Sequence, residues 1–294
     1  MDRHRSTLYR ELNRNTEYGL YLPSIAHKLA QTRHPHPPNK LDVIVDLNNY
    51  VVEKLHIGWT PEEIAGRMRL DKLDFYVCAE SIYRYIYRNK HLGLYKLLPS
   101  KQPKRRPFKI RKTHQKPLFP WNISKRPPEV DERLTSGHWE GDTIRFQKIY
   151  KACVTTLVER TTRYVFLKKN IDGKTKNVIN GMVSLMLSTP KKLWSSMTLD
   201  LGMEFMGFRE IERKTKCDVW FCNPSSPWQR GSNENTNGRL RRFLPRNIDI
   251  DQLPEKILEK IASQMNDTPR KCLGYRTPRE MLIRHWKRLC RTSL

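Results

Sequence analysis

Three carboxylates in this chain stand out by their settings. Asp142 lies in His138-Trp-Glu-Gly-Asp-Thr-Ile144, Asp200 in Thr198-Leu-Asp-Leu-Gly-Met-Glu-Phe205, and Glu234 in Ser226-Pro-Trp-Gln-Arg-Gly-Ser-Asn-Glu-Asn-Thr-Asn-Gly238. Between Asp142 and Asp200 stand 57 residues, and 33 stand between Asp200 and Glu234. Glu234 is the only acid between Asp218 and Asp249, in a glycine-flanked polar turn that opens onto a basic helix. One acid among arginines is ordinarily half of an ion pair. Three carboxylates on separate elements are what a divalent-metal phosphoryl-transfer site needs. Hard ions such as Mg²⁺ take oxygen ligands, and two of them can clamp the attacking and leaving oxygens of a phosphodiester.

The elements around these acids read as a mixed sheet. Trp139–Phe146, Ala152–Val158 and Tyr164–Leu167 are short runs rich in β-branched or aromatic residues, hence three successive strands. Val178, Ile179, Met182, Leu185 and Met186 make Lys174–Leu187 an amphipathic helix. A strand at Ser196–Leu199 leads into Asp200, a helix is expected over Glu204–Lys214, and a strand over Val219–Cys222 precedes the Glu234 turn. Strands in series followed by strand–helix alternation predict a mixed sheet flanked by helices. Two helices follow, one over about 254–266 and one opening on the capping box Thr277-Pro-Arg-Glu280 and running through Trp286.

Upstream the chain reads as helical. Residues 4–14 form a short basic helix with Leu8 and Leu12 on one face and Arg5, Arg10 and Arg14 elsewhere; alone it cannot bury its apolar side. Apolar residues recur at helical spacing over 41–57. Thr60-Pro-Glu-Glu63 is a second capping box, with Pro61 suited to the first helical position. Residues 71–77 connect to a helix over Cys78–Arg88, in which Ile82 and Ile86 face one way and Arg84, Tyr85 and Arg88 another. The pattern fits a helix-turn-helix whose second helix enters the major groove, and fits an ordinary helical hairpin equally well.

Charge narrows the partners. Fifty-six Lys and Arg against 30 Asp and Glu give a formal charge of +26, a field that attracts a polyanion; nucleic acid leads over an acidic membrane surface, since no run of about 18 apolar residues occurs. From Ser81 to Pro128 there are 14 Lys and Arg and no acid, and seven prolines fall within 99–128. That segment, Lys104, Arg105 and Arg106 included, is expected to be an extended basic linker that tracks phosphates without reading sequence. Six cysteines are scattered without metal-ligand spacing, which argues against a zinc site and a disulfide framework and for a reducing, cytoplasmic setting.

These motifs, with Thr156-Leu-Val-Glu-Arg-Thr-Thr-Arg-Tyr164 and Pro269-Arg-Lys-Cys-Leu-Gly-Tyr-Arg-Thr-Pro278, resemble the DDE-class bacterial transposases of the family named after insertion sequence thirty. The resemblance spans nearly the whole chain. It implies a multi-domain protein: an all-α helix-turn-helix amino-terminal region, then an α/β ribonuclease-H-like, retroviral-integrase-like catalytic core. The corresponding segments are 1–33, a truncated first helix-turn-helix; 40–95, a second DNA-binding helix-turn-helix; 96–130, the linker; and 131–294, the catalytic domain. The family's catalytic acids fall on Asp142, Asp200 and Glu234, implied to coordinate two Mg²⁺ (or Mn²⁺) directly. The activity implied is cleavage at terminal inverted repeats and strand transfer into target DNA. The implied partners are those duplexes and further copies of the chain in a synaptic complex, with no membrane, in the bacterial cytoplasm at the nucleoid.

Arg5, Arg10, Arg84, Tyr85, Arg88, Lys104, Arg105, Arg106, Arg230, Arg239, Arg241 and Arg242 are the expected DNA contacts, with ion pairing the plainer role for the last four. Trp228 is assigned to DNA or to core packing. Glu140, on the same strand face as Asp142, is assigned to an arginine pair or to the surroundings of a metal. Glu204 ranks below Glu234 as a third ligand, and His138, Cys217 and Cys222 are read as structural. Two departures from the family weigh toward an alternative, a catalytically impaired protein that only binds DNA. Leu201 stands where the family has Asn, a residue that favours the tight turn beside the second Asp. Residues 4–14 also look like a recognition helix without its opening helices. A ribonuclease of the same core fold is disfavoured, because A-form grooves do not admit a recognition helix.

Overall fold

The computed structural model describes residues 4–17, 19–33, 38–99, 101, 121–147, 149–224 and 226–291. Lys104, Arg105 and Arg106 lie outside them. The chain divides into two compact units, Met1–Asn48 and Asn49–Leu294. Among the described residues no helix is long and apolar enough to cross a membrane.

In the first unit, α1 (Arg5–Asn15) is followed by an antiparallel pair of two-residue strands, β1 (Thr16–Glu17) and β2 (Leu20–Tyr21), then α2 (Pro23–Arg33) and α3 (Lys40–Val43). Arg33 ties α2 back to the end of α1 through the Arg14 carbonyl (2.6 Å) and the Asn15 side chain. As expected of an amphipathic helix with little to pack on, α1 leaves Leu8 and Leu12 46% and 43% exposed. Arg5 and Arg10 are exposed as well.

A helix α4 (Val45–His56) crosses into the second unit, where α5 (Pro61–Asp71) and α6 (Ala79–Arg88) follow. The single helix expected over 41–57 is broken at Ile44, whose backbone is extended. Both arms of the Thr60 capping box form: the Thr60 amide donates to the Glu63 carboxylate (2.8 Å), and the Glu63 amide to the Thr60 hydroxyl (3.3 Å). Such a cap contributes about 1 kcal/mol. On α6 the expectation for Tyr85 fails. It is 8% exposed, buried with Ile82 and Ile86, while Arg84 and Arg88 are exposed. The reason is spacing: position 85 is three beyond 82, so it falls on the apolar stripe.

The rest of the second unit is built on α7 (Glu129–Glu132), β3 (His138–Ile144), β4 (Cys153–Glu159), β5 (Val165–Asn170), α8 (Thr175–Leu187), β6 (Ser196–Leu199), α9 (Arg209–Thr215), β7 (Asp218–Phe221), α10 (Gly231–Leu240), α11 (Glu255–Asn266) and α12 (Pro278–Arg291). The five strands form one sheet in the order β5-β4-β3-β6-β7; β4 runs antiparallel to both of its neighbours, β3 and β5, and β6 and β7 run parallel to β3. This is the mixed sheet that the strand pattern predicts. One face carries the larger core, Trp139, Leu157, Met197, Leu199, Val219 and Phe221 packed with α8 and α9 residues. The other carries Ile144 and Val154 with Leu240 of α10 and Leu258, Ile261 and Met265 of α11. Alternation along β3 therefore places Glu140, Asp142 and Ile144 toward α10.

The sheet's margins are covered. At β7, the Phe221 amide donates to the Trp121 carbonyl (2.7 Å) and Asn122 bridges Phe221 in parallel. At β5, the Asn266 side chain takes both backbone groups of Val165, accepting from its amide (2.8 Å) and donating to its carbonyl (2.9 Å). Residues 121–130, expected to be the end of an extended linker, are thus built into the sheet body. Asn122, Ile123 and Arg126 are buried, with Arg126 donating to the Thr198 hydroxyl (2.8 Å). An edge strand's free amides need a partner, and Trp121 and Asn122 supply it.

Candidate active site

Asp142 lies near the end of β3 and Asp200 one residue past β6, so neighbouring parallel strands bring the two carboxylates side by side. Gly141 leaves room for the side chain of Leu199, the residue before Asp200: a Cβ there would lie 2.5 Å from a Leu199 methyl. Asp142 accepts from the Thr143 amide (2.9 Å) and from the side-chain nitrogen of Asn237 on α10 (2.7 Å). Asp200 accepts from the Gly202 amide (3.1 Å). That bond closes the turn two residues on, using the carboxylate itself, so the turn forms with Leu201 between them.

One cation joins the two. Arg230, at the end of a 3₁₀ turn (Pro227–Arg230), reaches Asp142 at 3.2 Å and Asp200 at 2.8 Å, and donates to the Gly141 carbonyl at 2.9 Å. Burial works against the Arg230 charge, but attraction to Asp142 and Asp200 outweighs it and holds the guanidinium above its ordinary pKa. Asp142 titrates above the ordinary aspartate value because burial disfavours its charge more than Arg230 favours it.

Helix α10 is locked to the sheet by buried polar bonds. Glu140 is fully buried and accepts from the Asn233 amide (2.9 Å), so a strand carboxylate caps the first turn of α10 where the helix dipole favours negative charge. Asn233 donates to the Glu140 carbonyl (3.1 Å), and the Thr156 hydroxyl donates to Asn233 (2.9 Å). Arg160 lies 3.7 Å from Glu140. Of the two roles expected for Glu140, the arginine pair is present, and the helix cap is added to it. Burial raises the Glu140 pKa, with the Asn233 bond and Arg160 opposing.

Glu234 is exposed on α10, three residues before Asn237 and hence on the helical face of the residue that bonds to Asp142. The structure thus gathers two of the three expected ligands and places the third within a helical turn of their partners. Among the described residues no group of three or more His, Cys, Asp or Glu side chains is close enough to hold a metal. The pair itself fits a divalent ion: two hard carboxylates converge on one positive charge, which the Arg230 guanidinium supplies here. Glu204 is nearby, since its carboxylate and that of Asp200 lie 2.8 and 2.9 Å from where a Cβ on Gly202 would sit; it also pairs with Arg145 at 3.6 Å.

The remaining expected residues have specific places. Arg239 pairs with the buried Glu63 (2.7 Å), Arg241 donates to the Arg145 carbonyl (2.7 Å) and covers the Phe146 ring, and Arg242 donates to the Leu97 carbonyl (2.9 Å). Trp228 is 43% exposed, which removes the core-packing reading. His138 bonds to the hydroxyls of Ser196 (2.8 Å) and Thr135 (3.2 Å). Cys217 and Cys222 are buried free thiols, and burial pushes Cys222 up to about 12.

No family model matches the chain. The transposase InsI of insertion sequence element IS30A from Escherichia coli (strain K12) is 33% identical over 296 residues, covering 97% of this chain and 77% of that protein. The transposase of element IS1086 from Cupriavidus metallidurans is 36% identical over 289 residues, covering 94% and 85%. Among solved structures, the HTLV-2 integrase catalytic core domain in complex with magnesium (trimeric form) aligns with a TM-score of 0.36 and 19% identity, over 46% of this chain and 88% of that one. Near-complete coverage at this identity, across the segments that carry Asp142, Asp200 and Glu234, decides the assignment: the chain belongs to the IS30 family of insertion-sequence transposases.

Proposed function

We propose that this chain is a DNA transposase that binds the terminal inverted repeats of its insertion sequence and catalyses metal-dependent strand cleavage and strand transfer. The observation that carries the reading is Asp142 and Asp200, from neighbouring strands, sharing the Arg230 cation beneath a helix that carries Glu234. Asp142 and Asp200 would hold Mg²⁺ or Mn²⁺, with Glu234 completing the set from α10. Bound, two such ions would supply Lewis-acid stabilisation of the attacking and leaving oxygens. The protein's part is positioning. Thr143 and Asn237 fix the two oxygens of Asp142, Gly202 fixes Asp200, and the Glu140 cap fixes α10 relative to β3. No side chain attacks phosphorus: water is the nucleophile in cleavage, and the freed 3′-hydroxyl in joining.

In the same reading the sheet body is the ribonuclease-H-like core, and α5 and α6 are a helix-turn-helix with Arg84 and Arg88 on its exposed side. Two ends must be held together for joining, so the working form is a homo-oligomer. Tyr85 is left out of the DNA contacts because it is buried.

The test is cleavage and joining of a labelled duplex carrying the element's own end, with Mg²⁺ or Mn²⁺. The native chain is expected to cut and join; Asp142→Asn and Glu234→Gln are expected to bind the duplex and do neither. Equal loss of binding in those variants would make the acids structural and reject the proposal. Leu201→Asn should change cleavage little, because Asp200 closes its own turn; activity in that variant alone would favour an impaired, DNA-binding chain.

A further inference from the structure

The Pro269–Pro278 motif has no part in the acid site, yet its Arg270 and Lys271 line a cavity of about 410 Å³ on another face of α10. Arg133, Arg163 and Arg239 line it too, together with Ser232, Asn235 and Thr236, and among the described residues no carboxylate lines it. Arg270 is 6% exposed. One of its terminal nitrogens donates to the Met265 carbonyl (3.2 Å), and the other is buried without a hydrogen-bond partner. Burial, then the neighbouring Arg239, pushes Arg270 down to about 10, so it stays charged at neutral pH. The carboxylate that acts on Arg270 is Glu63, which pairs with Arg239 at 2.7 Å. Arg163 donates to the Ser232 hydroxyl, which orients it at the first turn of α10.

A guanidinium nitrogen buried without an acceptor is destabilising unless a ligand completes it. Four further cations and two hydroxyls around such a nitrogen match the donor set of a tetrahedral oxyanion. We propose that this cavity is a second nucleic-acid site, which seats one backbone phosphate of duplex DNA with Arg270 at its floor and Arg133 and Lys271 at its mouth. The proposal rests on the transposase reading, and it adds a phosphate clamp on the helix that carries Glu234. A strand anchored there would be registered against the acid site through α10 itself. A phosphate contact of this kind positions DNA and reads no sequence.

The experiment measures binding of a labelled 30-base-pair duplex by the full chain across a salt series. Arg270→Gln is the direct variant but removes a buried group, so the deciding variant is Arg133→Gln with Lys271→Gln, at the cavity mouth. A matched control, Lys176→Gln with Lys191→Gln, makes the same charge change on exposed residues elsewhere. The slope of log affinity against log salt should fall by about 0.9 for the phosphate lost, with affinity about tenfold weaker at 0.1 M salt, in the mouth variant and not in the control. Equal behaviour of the two double variants would overturn the clamp while leaving DNA binding by the native chain intact. A native chain that does not bind duplex at all would overturn the transposase reading, and the clamp with it. Inorganic phosphate forms a separate arm. If it raises the melting temperature of the native chain but not of the mouth variant, while duplex binding is the same in both, the cavity takes free anions and the DNA assignment is wrong.

Discussion

Helix α10 presents two faces that treat a buried arginine in opposite ways. Toward the sheet, Arg230 has two carboxylates within 3.2 Å, and Asn233 and Asn237 bond to Glu140 and Asp142. Toward the second cavity, Arg270 meets other cations and keeps a terminal nitrogen without an acceptor. Both guanidiniums are largely buried, yet attraction holds one above its ordinary pKa while burial and repulsion hold the other below it. Counter-charge, and not burial alone, separates a cation that is finished from one that is available. On the first face acids assemble around a positive charge; on the second, positive charges assemble around a space.

The largest effect expected from perturbing this contrast is on chemistry. Asp142→Asn should lower cleavage on the order of a thousandfold, as loss of a preorganised charge does, with duplex affinity unchanged; gel assays of cleavage and binding on one preparation would check both. Next is stability. Arg230→Met leaves Asp142 and Asp200 facing each other and should cost about 2 kcal/mol by urea unfolding. That is less than the 3–5 of a fully buried pair, because Asp200 is 39% exposed. Millimolar Mg²⁺ should restore most of that loss, and no recovery would mean that the two acids do not hold a divalent ion.

Arg270→Met should cost less, about 1 kcal/mol, since one bond is lost and like-charge crowding is relieved. A larger loss than for Arg230→Met would reverse the comparison. The smallest effect is a change of slope with pH. Burial raises the folded-state pKa of Glu140, so its favourable contribution is present below the unfolded value of about 4.5 and is lost as pH rises through the raised one. Glu140→Gln should flatten the fall in stability over that window, measured as unfolding midpoints in a pH series; an unchanged slope would place the titration elsewhere.

What was legible in the sequence followed local chemistry. The β6 strand has the expected bounds, β3 to β5 lie within a few residues of theirs, and the Thr60 and Thr277 boxes both form, the latter with bonds of 2.7 and 3.1 Å. Each depends on residues two to four positions apart. What was missed depends on distant pairing. Nothing within Trp228-Gln-Arg230 says that the arginine will sit between Asp142 and Asp200, and nothing near Glu140 says that it will cap a helix more than ninety positions later. A shared burial face with Asp142 was the only available hint. The helix expected over Glu204–Lys214 is instead a 3₁₀ turn, Met203–Phe205, and then α9, because Phe205 and Phe208 both turn into the core. Helix α2 is not legible in the sequence: its residues carry little amphipathic pattern, and its tie to α1 depends on Arg33 reaching back eighteen and nineteen positions.

The Asn266 amide at Val165 has a consequence for assembly. It occupies the amide and carbonyl that an incoming strand would use first, and on the opposite margin Trp121 occupies the Phe221 amide. A second copy pairing at Val165 or at Phe221 would have to evict a bonded group before gaining that rung. Extension of the sheet from copy to copy, the usual route to fibrils, is therefore obstructed at these two positions. In the synaptic assembly proposed above, contact between copies would then fall to side-chain surfaces.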